Sequence, residues 1–239
     1  MARAMWVNIK DEISKDIVNG RLTDGDRLST EPELAARFKT GRHSVRRAVE
    51  ALVKEGKVNV EQGRGTFVQI EPVLVYTIGK RTRLHHNLLP QGYEVTSELL
   101  GGELINAPKK ISDKLQLDAG AQVVVSTRRV LANATPISYG TVYHPAARFP
   151  DFIERRDLTG STTKAYASYG IVDYVRASTE MFARPASPEE AKMLQQHPDL
   201  CVIVQRAVDT DLAGRPLSCS QVIWAAGRVK FKMESPIDD

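Results

Sequence analysis

Residues 28–68 read LSTEPELAARFKTGRHSVRRAVEALVKEGKVNVEQGRGTFV. Thr30 precedes a helix-forming run and Glu33 follows it by three residues, the spacing at which each side chain satisfies an orphan backbone donor of the other. Pro32 is tolerated in that first turn, where its missing N–H has no partner to lose. Leu34, Ala35 and Phe38 supply an inward face, and Lys39-Thr40-Gly41 makes a turn. The spacing of Val45, Ala48, Val49, Leu52 and Val53 predicts a further helix from Arg42 to Lys54, stopped by Glu55-Gly56. Short strands are expected at 58–61 and 66–69, joined by Gln62-Gly63-Arg64-Gly65, a tip rich in the residue that tight hairpins need. Two short helices, a tight turn and a basic hairpin are the layout of a winged helix-turn-helix.

Working outward, an amphipathic helix is expected from Trp6 to Asn19, with Trp6, Ile9, Ile13, Ile17 and Val18 on its apolar side. Between Arg37 and Val49 stand Arg37, Lys39, Arg42, Arg46 and Arg47 with no acidic residue, although the whole chain carries a net charge of only +4. A one-sign patch that opens a recognition helix is what phosphate neutralisation requires. Arg42, His43, Ser44, Arg46 and Arg47 are therefore the candidate major-groove and phosphate contacts. Gln62, Gly63, Arg64 and Thr66 are the candidate contacts of the wing, with Arg64 suited to a minor groove.

The remaining length has a different texture. Residues 70–80, with Glu71-Pro72, read as a linker between a 1–69 DNA-binding domain and an 81–239 domain. Strand-like runs lie at 98–105, 122–131, 137–144, 174–182, 201–210 and 217–225. Helical runs lie at 111–115, 162–169 and 188–197. Many strands with few interleaved helices predict an α+β domain with a mainly antiparallel sheet. No apolar run reaches the length of a membrane span, and MARAMWVNIKDEI has no signal-peptide apolar region, so a cytoplasmic protein is expected. Cys201 and Cys219 are read as buried thiols of a reducing compartment.

Four segments, Gly25-Asp26-Arg27-Leu28, Glu31-Pro32-Glu33-Leu34-Ala35, Arg42 to Arg47 and Gly63-Arg64-Gly65-Thr66-Phe67-Val68, closely resemble the DNA-binding domain of GntR-type bacterial repressors. The chain departs from that pattern at Pro32, where the family usually has Arg, which implies a missing or replaced phosphate contact. Gly41 stands where Ser is common. Residues 76–231 resemble the ligand-sensing (UTRA) domain of the HutC branch, with the chorismate-lyase fold. The anchors are Leu117-Asp118-Ala119-Gly120, Pro136-Ile137, Tyr169-Gly170-Ile171 and residues 211–218. Residues 83–92 and 173–176 are similar to segments of phosphonate-metabolism regulators. The resemblance implies a homodimer, a palindromic double-stranded operator and a small anionic effector.

An oxyanion needs guanidinium forks, amides and hydroxyls converging on one pocket. Arg83, His85 and Asn87 are expected to form part of it. Strand alternation adds Arg128 on one strand, Tyr174 and Arg176 (with Ser178 on the same face) on another, and Ser218 and Ser220 on the last. Sugar-phosphate binders of the branch often carry a second arginine where this chain has Val130, and Glu where it has Ser218, which implies a small phosphonate rather than an amino-sugar phosphate. Urocanate or a sugar phosphate remain the alternative effectors. The implied sheet also hosts a lyase, but no triad, no Cys–His pair and no paired carboxylates argue for an enzyme. His85-His86 has no Cys or carboxylate at ligand spacing nearby, so no metal and no cofactor is expected.

Overall fold

In the computed structural model, which describes residues 4–23, 25–61, 63–68, 74–196, 198 and 200–233, the chain divides into two units, Met1–Val73 and Leu74–Asp239. The first contains α1 (Met5–Val18), α2 (Glu31–Arg37), α3 (Arg42–Lys54), β1 (Val58–Glu61) and β2 (Gly65–Val68). Thr30 N–H donates to Glu33 Oε2 at 2.7 Å, as the spacing predicts. Ile9 and Ile13 of α1, Leu34 of α2 and Val45, Ala48 and Leu52 of α3 close one core with Leu28, Val58 and Val68. Val53, expected on the inner face of α3, is exposed instead. At the end of α3, the Glu55 side chain is almost wholly buried and pairs with Lys10 at 3.0 Å and Lys57 at 2.7 Å.

The second unit is built on a six-stranded sheet, ordered β4 (Val95–Asn106), β5 (Gln122–Ala132), β6 (Thr135–Pro145), β9 (Pro216–Ala225), β8 (Cys201–Asp211) and β7 (Tyr174–Pro185), every neighbouring pair antiparallel. Five short helices are described: α4 (Leu84–Leu88), α5 (Lys109–Leu115), α6 (Phe152–Thr159), α7 (Thr162–Ala167) and α8 (Pro188–Met193). Gly140 is needed where β6 meets β9, since a Cβ there would lie 2.7 Å from Gln221 O and 2.9 Å from Val222 Cα. Phe152, Ala165 and Tyr166 of α6 and α7 pack with Val124 and Tyr174 of the sheet, closing one core.

A second, two-stranded sheet departs from the linker expectation. Residues 74–78 form β3 (Leu74–Ile78), which pairs in parallel with β10 (Val229–Met233), a strand the sequence did not suggest. Tyr76, Trp224 and Phe231 pack together at tilted and edge-to-face angles, with the Tyr76 and Trp224 centroids 4.8 Å apart. The outer edge of β3 is satisfied by side chains. Asn87 Oδ1 accepts from Thr77 N–H at 2.6 Å and its Nδ2 donates to Thr77 O at 3.2 Å. Gln91 does the same to Val75, at 3.0 Å and 2.7 Å. Both cysteines are free thiols, but Cys201 is exposed and only Cys219 is buried, because Cys201 opens β8 at the sheet rim.

Candidate functional site

On the first unit, Val45, Ala48 and Leu52 turn α3 inward and leave Arg42, His43, Arg46 and Arg47 exposed, with Ser44 half-buried. Arg46 donates to both oxygens of Glu31 at 3.3 Å. The Arg47 guanidinium lies over the Trp6 ring, 4.6 Å from its centroid, which orders a cation at the surface without neutralising it. Arg64 pairs with Glu61 and lies over Phe67. Gly63 has open space where a Cβ would stand, whereas the space beside Gly65 (φ +129°) is taken by Arg27, 2.7 Å from such an atom. Thr66 is half-buried in the hairpin, and Gln62 lies outside the described residues. Arg27, which the charge pattern did not single out, therefore lies against the base of the wing tip.

On the second unit, a cavity of about 460 Å³ opens over the sheet face that carries Arg128, Ser126, Val142, His144, Ser218, Ser220 and Arg176. Cross-strand pairing explains the convergence. Arg176, Asp209 and Ser218 stand in one row across β7, β8 and β9, and Ser126, Val142 and Ser220 in another across β5, β6 and β9. Tyr174 lies at the sheet end of the same cavity, and Arg83 and His85 enter from the start of α4. Seven of the expected effector residues thus share one lining. Asn87 does not; its amide is consumed by β3 and by Arg83 O. Ser178 also leaves the face of Arg176, because a bulge between them pairs Arg176 with Asp209 but Ser178 with Val208.

The polar groups of the cavity are held in defined states. Arg83 lies over the Tyr174 ring, 4.4 Å from its centroid, and donates to Asp173 at 2.7 Å. Arg176 donates to Asp209 at 2.5 Å; burial raises the Asp209 pKa above the usual carboxylate value although Arg176 opposes it. Arg128 pairs with Asp157, and its Nε is buried with no hydrogen-bond partner. His144 stacks on Phe152 at 3.7 Å between centroids and meets the Tyr166 hydroxyl at 3.1 Å, and burial pushes its pKa down to about 3, so it is a neutral imidazole. Burial, with the charges of Arg156 and Lys164, lowers His85 as well. Arg156 is a lining residue that strand alternation could not find. It comes from α6, and it brings the second guanidinium that Val130 does not supply.

Residues 7–68 match the family described as bacterial regulatory proteins, gntR family, and residues 90–230 match the UTRA domain. The chain belongs to the gntR family. This GntR protein is 37% identical over 98% of its length, and 96% of the relative's, to an uncharacterized HTH-type transcriptional regulator of Rhizobium meliloti (strain 1021). It is 30% identical to the "Probable transcriptional regulator PhnF" of Escherichia coli (strain K12), over 88% of this chain and 87% of the relative. The crystal structure of PhnF from Mycobacterium smegmatis shares its fold with a TM-score of 0.66, at 21% identity, covering 96% of this chain and 100% of that one. The GntR chain is accordingly a transcriptional regulator of the HutC type, with a DNA-binding module and a domain of the class that binds small effectors. No helix among the described residues is long and apolar enough to cross a membrane.

Proposed function

We propose that this GntR regulator is a repressor that leaves its operator when a small oxyanion of the phosphonate or phosphate type fills the cavity over the sheet. The observation that carries the reading is the set of guanidiniums from four separate elements, Arg83, Arg128, Arg156 and Arg176, around one cavity with the hydroxyls of Ser218 and Ser220. Forked donors of this kind match oxyanion geometry. Control of phosphonate uptake or catabolism genes follows from the resemblance of residues 83–92 and 173–176 to phosphonate-metabolism regulators, and the identity to PhnF of Escherichia coli supports it.

In this reading Arg42, His43, Ser44, Arg46 and Arg47 enter the major groove, and Gln62, Gly63, Arg64 and Thr66 contact the flanking duplex. Two copies of the chain bind a palindromic site, with paired recognition helices on paired half-sites. Coupling runs along α4. Its start carries Arg83 and His85 into the cavity, and Asn87, one turn on, grips β3, the first described strand after the DNA-binding unit. An effector that draws on Arg83 therefore pulls on the strand that leads from that unit. Thermal unfolding of the purified chain with alkylphosphonates, phosphate, sulfate, urocanate and sugar phosphates tests the ligand class. Specific stabilisation by phosphonate is expected. Stabilisation by urocanate alone would reject the oxyanion reading.

A further inference from the structure

The positive charge of the cavity is compensated unevenly. Arg83, Arg128 and Arg176 each have a carboxylate: Asp173, Asp157 and Asp209 respectively. Arg156 has none. It is 8% exposed, and among the described residues no acidic oxygen lies within 4.0 Å of it. Among the described residues its hydrogen bond runs from Nε to Thr162 Oγ1 at 3.1 Å, and both terminal nitrogens are left to donate. Burial and the like charge of Arg128 outweigh the charge of Asp157 and lower its pKa to about 10, so it stays cationic at neutral pH. Lys164, an exposed ammonium, also lines the cavity.

A nearly buried guanidinium with no carboxylate paired to it, only the more distant charge of Asp157 that Arg128 already holds, is costly to the folded chain, and more so beside a second guanidinium. The neighbouring Arg128 adds a buried Nε that no protein group accepts from. A structural arginine would be expected to pair with a carboxylate, as Arg128 and Arg176 do and as Arg83 does through Asp173, which it shares with Arg81. Donors left open on a cavity wall, at a site short of negative charge, fit an anion that arrives from solution. Arg156 carries the buried part of that shortfall, and the exposed ammonium of Lys164 adds a second positive charge at the rim of the same lining.

We infer that Arg156, acting with Arg128, makes this cavity select a doubly charged oxyanion, a phosphonate or phosphate monoester, over singly charged carboxylates and sulfonates. The inference rests on the effector reading of the cavity. It places charge selection on α6, outside the strand positions that the sequence marks.

Methylphosphonate and methanesulfonate share a tetrahedral head of three oxygens and differ by one charge at mildly alkaline pH, so they separate charge from shape. Calorimetric titration of the full chain, in a buffer free of phosphate and sulfate, should show methylphosphonate binding roughly 10- to 100-fold more tightly, the range for a charged hydrogen-bond pair. Arg156→Gln should lose most of that preference while its unliganded melting temperature holds or rises, because an uncompensated buried charge is gone. Arg156→Lys should keep the preference but bind phosphonate more weakly, because the fork is lost. Equal affinity of the natural chain for the two anions, or an undiminished preference in Arg156→Gln, overturns the inference and leaves the effector reading standing. Failure of every oxyanion to bind overturns both.

Discussion

Arg46 on α3 donates through Nε and Nη2 to the two oxygens of Glu31 on α2, both at 3.3 Å. The pair is exposed, so it adds little to stability. Its consequence is orientation. Glu31 holds the guanidinium at the surface of the helix-turn-helix in the absence of DNA, and a duplex must draw Arg46 away from it. Arg46→Ala should weaken operator binding roughly 10- to 100-fold and relax base preference at one position per half-site. Glu31→Gln should not weaken binding. A footprint of Arg46→Ala equal to that of the natural chain would place α3 in the wrong register on DNA.

The DNA-binding unit depends on a buried charge. Burial alone would raise the Glu55 carboxyl, but Lys57 and Lys10 outweigh it and hold its pKa below the usual value. Lys10 is itself 5% exposed. Glu55→Ala removes the buried counter-ion of that ammonium and leaves it the more exposed Asp11 at 3.5 Å, so the cost should be about 2–3 kcal/mol, below that of a wholly unpaired buried charge. Hydrogen exchange of the α3 amides reads the loss in this unit separately from the other. Exchange within about 1 kcal/mol of the natural chain would show that Asp11 alone compensates Lys10.

The neutral imidazole of His144 gives the effector unit a pH dependence of known sign. Its pKa is about 3 in the fold, against an ordinary 6.5. The unfolded chain therefore binds a proton that the folded chain refuses, and stability is complete above about pH 6.5 and is lost as the pH falls toward about 3. Between pH 6.5 and 5 the loss should approach about 2 kcal/mol from this group alone. Urea unfolding of His144→Gln, which keeps a partner for Tyr166, should lack that slope. The same slope in both proteins would assign it to other groups.

Asn87 and Gln91 replace a neighbouring strand on β3, and that role makes Asn87 a coupling residue rather than a ligand contact. Asn87→Leu should leave effector affinity within about threefold, since the side chain does not line the cavity, while opening the Thr77 N–H to exchange. It should also blunt release from DNA. An Asn87→Leu chain that binds effector far more weakly would return Asn87 to the pocket.

The central strands of the large sheet were legible because β-branched and other apolar residues recur along them, as in QVVVSTRRVLA, and α3 because its stripe is clean. The winged helix-turn-helix followed from local spacing alone. β3 was hidden because its partner β10 lies far along the chain and its other edge is filled by two side-chain amides, neither of which leaves a local pattern. Alternation placed Tyr174 and Arg176 together but misplaced Ser178, since the bulge at Ala177 shifts every later residue to the other face. Arg156 escaped because FIERRDLT shows two adjacent arginines and no way to rank them; Arg155 turns to Asp151 and Tyr169, and Arg156 turns into the cavity.

The central claim is that filling the cavity over the sheet releases the helix-turn-helix from DNA. Fluorescence anisotropy of a labelled duplex from the region upstream of the protein's own gene, titrated first with the full chain and then with methylphosphonate, tests it directly. The account predicts a complex at modest ionic strength that dissociates as the phosphonate saturates, with operator affinity lowered about 5- to 150-fold. An operator affinity unchanged by phosphonate that calorimetry shows to be bound would contradict it.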